Sequence, residues 1–285
     1  MGDDAKMLRT LTEPSVVSSH ALPASWDVPS LLDAVASLKP PPHALIDTGA
    51  LVTGMNNKQV AAYLLPRLPA TIEGVVYLER GGHKKILLRA TGAAMDLERC
   101  GLPKESRFSF FDQVHTTGMD IPQGASARAV LTLGKDLTFR DYAQGAYRMR
   151  GIGKGQTIVL FVIPEVQRLC LSETALGGGV TPDALSAKRA SLPAAERQRA
   201  ELEGVAGWLL INSMKSEKIQ FELWCQHCAQ NVWRKKAFKQ LAASHANFAD
   251  AREGKGASDF ERRALEIFRE RVERDVNSSV PNHVE

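Results

Sequence analysis

The chain has 285 residues, 44% of them apolar and 24% charged, which excludes a disordered or fibrous chain and leaves room for one or two domains with a sizeable core. A formal net charge of +4 permits contact with nucleic acid or an acidic protein but at this length argues for neither. The four cysteines are irregularly spaced, the acidic opening MGDDAKMLRTLTEP has no apolar signal region, and runs such as TIVLFVIP are too short to span a bilayer, so a cytoplasmic or nuclear protein with no membrane partner is expected.

Residues 1–42 are weakly patterned. The apolar stretch SLLDAVASL runs into Pro40, Pro41 and Pro42, which end any helix and predict a boundary. Over residues 43–180 strand and helix signals alternate. ALIDTG is an apolar run closed by a glycine turn, and NNKQVAAYLLPRLP has helical spacing with Asn56 or Asn57 as its cap. GVVYLE, KKILLRA, RFSFFDQV and ARAVLTLG are strand-like, FRDYAQGAYRMRG is a helix, and QTIVLFVIP is a last strand. This alternation predicts an α/β fold with a mainly parallel sheet covered on both faces. GGGV and TPD then break the pattern, and residues 181–285 read as a helical extension: a long segment over 193–246, a last helix over 257–274, and a frayed end.

Two segments carry chemistry. The strand FSFFDQ leads into His115, Thr116, Thr117, Gly118, Met119 and Asp120, where Gly118 suits a tight turn and Asp120 can fix the loop or meet a sugar or cation. Further on, Gln144 and Arg148 are four residues apart and share a helix face, with Arg150 and Lys154 close behind in a glycine-rich exit. Arginine suits a site that binds phosphate, because it stays charged and offers several donors to phosphate oxygens.

Residues 113–163 resemble the C-terminal half of superfamily 2 helicases. TTGMDIP is similar to their fifth motif, T-x-x-x-x-G-x-D-x-P, and YAQGAYRMRGIG to their sixth, Y-x-H/Q-R-x-G-R-x-G-R. ALIDTGALVTG resembles the first strand and turn of the same domain. The resemblance implies a RecA-like, P-loop NTPase-type fold that lacks the Walker loop, over residues 43–180. It implies ATP and Mg at an interface with an upstream RecA-like domain, and none for this chain alone. It assigns Gln144, Arg148 and Arg150 to the catalytic role, and Asp47, Thr48, Gly49, Thr117, Gly118, Asp120 and Lys154 to cofactor binding. Two positions depart from the motif: Gly145 stands where an arginine is usual, and Gly151 stands where the finger arginine is usual.

LIDTGALVTGM, FDQVHTTGMDI and ARAVLTLGKDLTFRDYAQGAYRMRGIGKGQT also resemble a family of very large eukaryotic proteins that carry domains of unknown function, some labelled ubiquitin thioesterase. That resemblance spans about residues 40–170 and implies a piece or short relative of a larger protein. Its label implies a thiol-type ubiquitinyl hydrolase acting on ubiquitin conjugates, for which Cys100 as nucleophile, His115 as base and Asp112 as orienter are the residues to consider. A third class is a catalytically silent interaction domain of a scaffold.

Other patterns carry less. Asp47-Thr48-Gly49 looks like an aspartic-protease turn, but that chemistry needs two such carboxylates and the chain has one DTG. Residues 151–157 imitate a phosphate loop, yet Lys154 is followed by Gly155 and the segment leaves a helix to enter a strand. Cys225 and Cys228 form a single CxxC beside His227, without the second pair of a zinc site, so no metal is expected.

Overall fold

Two segments, RAVLTL and TIVLFV, are too uniformly apolar to keep one face wet, and they become neighbouring strands buried on both faces. The computed structural model describes residues 3–248 other than Arg80 and Thr117, with side-chain surroundings over 5–236. In chain order its elements are helix α1 (Asp3–Leu11), strand β1 (Val17–Ala21), α2 (Val28–Ser37), β2 (Ala44–Ile46), α3 (Asn57–Leu64), β3 (Gly74–Leu78), β4 (Lys84–Leu88) and β5 (Ala94–Asp96). There follow β6 (Arg107–Phe111), β7 (Arg128–Leu133), α4 (Phe139–Ala146), β8 (Thr157–Val162), α5 (Pro164–Gly177), α6 (Pro182–Ala190) and α7 (Ala194–Phe248).

The described strands form one sheet in the order β1-β8-β7-β2-β6-β3-β4-β5. From β1 to β3 the pairing is parallel throughout, and β4 and β5 add an antiparallel edge. The protein is therefore α/β with a mostly parallel sheet. KKILLRA departs from the parallel expectation because Gly81 and Gly82, both at positive φ, turn the chain straight back onto β3. The short strand β2 is central: Leu45 sits between Phe110 of β6 and Val130 of β7. From β2 the chain first builds to one side, through β3 and β6, and then crosses to the other, through β7 and β8. Such a reversal opens a crevice at the carboxyl ends of the strands beside it.

Helix starts follow the local sequence. Asn56 caps α3 and Thr138 caps α4, each in a reciprocal capping box, with Gln59 and Asp141 respectively. The helix expected to run to Gly151 ends earlier, at Ala146, so Arg148 lies past the last helical residue. No helix among the described residues is long and apolar enough to cross a membrane.

The domain boundaries differ from those expected. The chain divides into two compact units, Met1–Met214 and Lys215–Glu285. Residues 1–42 are no separate segment: all five residues of β1 pair with β8, and the Tyr142 hydroxyl of α4 donates to the Leu11 carbonyl at 3.4 Å. VSSHA escapes an apolar reading because it is an edge strand, covered by the start of α7, where the Gln198 amide donates to the Val17 carbonyl at 3.1 Å and Ser19 donates to Glu201 at 2.9 Å. Leu202, Val205, Trp208 and Leu209 of α7 are buried in the same unit, so residue 181 is no boundary either. The last helix expected over 257–274 lies outside the described residues.

Candidate functional site

The turn after β2 is built on a buried carboxylate. Asp47 Oδ1 accepts from the Thr132 hydroxyl at 2.7 Å and from the Leu51 amide at 3.0 Å, and Oδ2 accepts from the Val52 amide at 2.9 Å. Burial pushes the Asp47 carboxyl above the usual carboxylate range, the three hydrogen bonds oppose that, and the charge of Asp112 adds to it. Its acceptors are directed inward, so Asp47 holds the 47–52 turn rather than offering an oxygen to a ligand. That turn presents Thr48 and Gly49. Thr48 is buried, and its Oγ1 has no hydrogen-bond partner among the described residues. Gly49 must be glycine, because a β-carbon there would meet Gly134 N at 2.6 Å and Leu133 C at 2.7 Å, the backbone leaving β7.

The segment after β6 brings Asp112 and His115 together through His115 Nδ1 and Asp112 Oδ1. Thr116 is buried and donates to the Gln113 carbonyl at 2.8 Å, while Gly118 turns the chain at φ 76° as its sequence position predicts. Thr117 lies outside the described residues. The chain then descends beside α4. Arg148 donates from Nη1 to the Met119 carbonyl and from Nε to the Gln144 carbonyl at 3.4 Å. Burial draws the Arg148 pKa below its ordinary value, the Arg150 charge adds to the fall, and Asp120 opposes it. Arg150 and Asp120 face each other at 3.5 Å, both more than half exposed.

A cleft of about 420 Å³ opens at the carboxyl ends of β2, β6 and β7, where the sheet topology reverses. Thr48 and Gly49, Gln113 and Thr116, Lys135 and Asp136, and finally Gln144 from α4 line it. Gln144 is also part of the wall of an adjoining apolar groove of about 740 Å³, bounded by Met7 and Leu8 of α1, Phe139 of α4 and Tyr147 just after it, and Leu210 of α7. Sequence reasoning missed Gln113, Lys135 and Asp136. The signal was present for the last two, since GKD lies between the end of an apolar strand and the Thr138 cap.

The resemblance puts Lys154 in one cofactor-binding set with Thr48 and Gly49, and that assignment needs correction. The turn at 47–49, residues 113–116 and Gln144 gather at the carboxyl end. Lys154 is at the amino end instead: it lies in the exposed turn that enters β8, where a β-carbon on Gly155 would meet the Ala125 carbonyl at 2.9 Å and Thr157 pairs with Arg128, the first residue of β7. An α-helix leaving the carboxyl end of one parallel strand must return the chain to the amino end of the next, which carries Lys154 away from the cleft. Gly151, at the finger position of the resembling motif, is tied down on the way. Its amide donates to Gln156 Oε1 at 2.7 Å, Gln156 Nε2 donates to the Gly124 carbonyl at 2.7 Å, and a β-carbon on Gly151 would press the Gln156 amide at 3.0 Å.

The thiol constellation does not assemble. The Cys100 carbonyl accepts from Arg107, which opens β6, whereas Asp112 and His115 follow that strand's far end, roughly 13 Å along at the rise of a parallel strand. Cys100 has the pair Asp112–His115 nowhere among its described partners.

No family model matches the chain, and neither the curated proteins nor the solved structures contain a match to it.

Proposed function

We propose that residues 43–165 are the second RecA-like half of a helicase-type nucleotide-driven motor, which works against an upstream RecA-like half carrying the Walker loop that is missing from these 285 residues. The observation that carries this reading is the meeting of two segments distant in sequence. Arg148 holds the carbonyl of Met119, and Arg150 faces Asp120, so the loop after β6 and the arginines after α4 form one continuous edge. In a motor that edge couples a substrate-sensing loop to phosphate-facing arginines. Arg150, more than half exposed and only weakly held by Asp120, has its guanidinium available for a phosphate across the interface. The buried, unpartnered Thr48 hydroxyl and the Gln144 amide in the cleft are further donors suited to oxygen-rich groups.

Bound ATP with Mg would supply the transferable phosphoryl group and its neutralising charge. The role of this chain is positional. Arg148 fixes the loop, Arg150 offers the cation, and Gln144 lies between cleft and groove. Nucleic acid is the substrate that the resemblance implies.

A second reading, a catalytically silent interaction domain, is favoured by Gly151. The position where the motif carries its finger arginine is a glycine whose amide is clamped by Gln156, and a side chain there would have to displace the Gln156 amide group.

The test is nucleotide hydrolysis by the chain extended through the upstream half, beside this chain alone, with and without nucleic acid. The motor reading expects turnover in the extended chain only, lost in Arg150→Ala with an unchanged melting temperature. A folded extended chain without turnover under any nucleotide and nucleic acid overturns it and leaves the silent domain. Because Arg148 also holds main chain, Arg148→Ala is expected to lower both turnover and stability.

A further inference from the structure

Within the second unit, residues 215–236 of α7 are helical and none of them is buried. Large apolar side chains are nonetheless frequent there: Phe221 is 61% exposed, Trp224 63% and Val232 66%. At 3.6 residues per turn, Phe221, Trp224, Cys225, Cys228 and Val232 fall within an arc of about 100°. Their spacing is that of a heptad seam, with Phe221 and Cys228 in one row, Trp224 in the other, and Cys225 and Val232 beside them. Phe221 and Trp224 already touch along it, with ring centroids 6.2 Å apart. A lone helix gains little from its own propensity and loses by wetting such a stripe.

Two charges also lie in the stripe, and they identify its occupant. Glu217 and Lys235 occupy seam positions, and each is nine residues from Gln226. If a second copy lies parallel and in register, Glu217 faces Glu217 and Lys235 faces Lys235. If it lies antiparallel and centred on Gln226, Glu217 of each copy faces Lys235 of the other, Trp224 faces Cys228, and Phe221 faces Asn231. Like charges in a seam oppose pairing and unlike charges favour it. From Glu217 to Lys235 the seam is about 27 Å long, and covering it at one helix diameter with two aromatic side chains hides on the order of 600 Å² per copy, the lower edge of a stable interface.

We infer that the 217–235 stretch of α7 is a self-association site, and that two copies of the chain pair there as antiparallel helices centred on Gln226. This goes beyond the motor reading and does not depend on it.

Sedimentation equilibrium of the full chain tests it. A dimer is expected at micromolar concentration, becoming monomeric in Trp224→Asp while the far-ultraviolet spectrum and the melting of the first unit stay as they were. Glu217→Lys is expected to weaken the dimer about tenfold, because it sets a second cation against Lys235 of the other copy. Adding Lys235→Glu is expected to restore it, since the reversed pair is again complementary only in the antiparallel arrangement. A wild-type chain monomeric at 100 μM overturns the inference, as does a dimer indifferent to Trp224→Asp. A double reversal as weak as the single one overturns the antiparallel geometry.

Discussion

Gly145 lies directly against Thr48: a β-carbon on Gly145 would come within 2.7 Å of the Thr48 hydroxyl oxygen and 3.2 Å of its methyl group. Helix α4 can approach the end of β2 this closely only because position 145 has no side chain, so the absence of the motif's arginine follows from packing.

Gly145→Ala is therefore expected to destabilise the first unit. The alanine gains about 1 kcal/mol of helix propensity, while overpacking costs about 1–3 kcal/mol, so the net is a loss of up to about 2 kcal/mol. In a Thr48→Ala background the clash is removed and the same change is expected to be neutral or stabilising. Urea denaturation of the four proteins checks the cycle, and equal effects of Gly145→Ala in both backgrounds would show that the contact does not govern the packing.

Asp47→Asn replaces an acceptor with a donor. In one orientation of the new amide its N–H group faces the Val52 amide, in the other it faces the Leu51 amide and the Thr132 hydroxyl, and a loss of about 1–3 kcal/mol is expected at neutral pH. The pH dependence has a definite sign. The folded carboxyl holds its proton above the unfolded value of 3.8, so the native state binds more protons than the unfolded state over the interval just above 3.8, and stability falls as pH rises through it. That downward slope is expected to disappear in Asp47→Asn, measured by melting temperature across acidic pH.

Gln156→Ala should release two connections at once, the Gly151 amide and the Gly124 carbonyl. A loss of about 2–3 kcal/mol is expected, together with faster hydrogen exchange at Gly151. Gln156→Glu keeps an acceptor for Gly151 but not a donor for Gly124, and should fall between the two. Exchange at Gly151 unchanged in Gln156→Ala would contradict the clamp.

Cys170 should resist alkylation in the native protein. It is buried, and desolvation pushes its thiol up to about 12, so at pH 8 the reactive thiolate is only about one part in ten thousand. Peptide mapping after iodoacetamide treatment should find Cys170 modified only after unfolding in guanidinium. Labelling at the native rate of Cys100 would refute its burial.

Much of the first unit was legible in the chain. The alternation of apolar runs with capped helices located β2, β3, β6, β7 and β8, and of the two asparagines that could cap α3 it is Asn56 that does so. The missing pieces share a physical cause. β1 is an edge strand with polar Ser18, Ser19 and His20; Ser19 and the Val17 carbonyl find their partners on α7, far along the sequence, and His20 stacks on Phe161 of β8, so no local pattern declares it. At the site, Thr48 and Gly49 announced themselves as a strand-end turn, and Gln144 by its place on α4. What the sequence could not show was direction: whether the chain after α4 stays at the cleft, as supposed for Lys154, or has already crossed to the amino end.

The pairing at the β1 edge of the sheet joins two strands far apart in the sequence, since Ile158 follows its partner Val17 by 141 residues. At ribosomal speeds of about 5–20 residues per second, β1 waits roughly 7–30 seconds for β8 to be synthesised. During that interval VSSHA offers unpaired amides and carbonyls on both edges. Its serines and histidine have little apolar surface to bury, so a premature pairing with another strand gains less there than at an apolar edge.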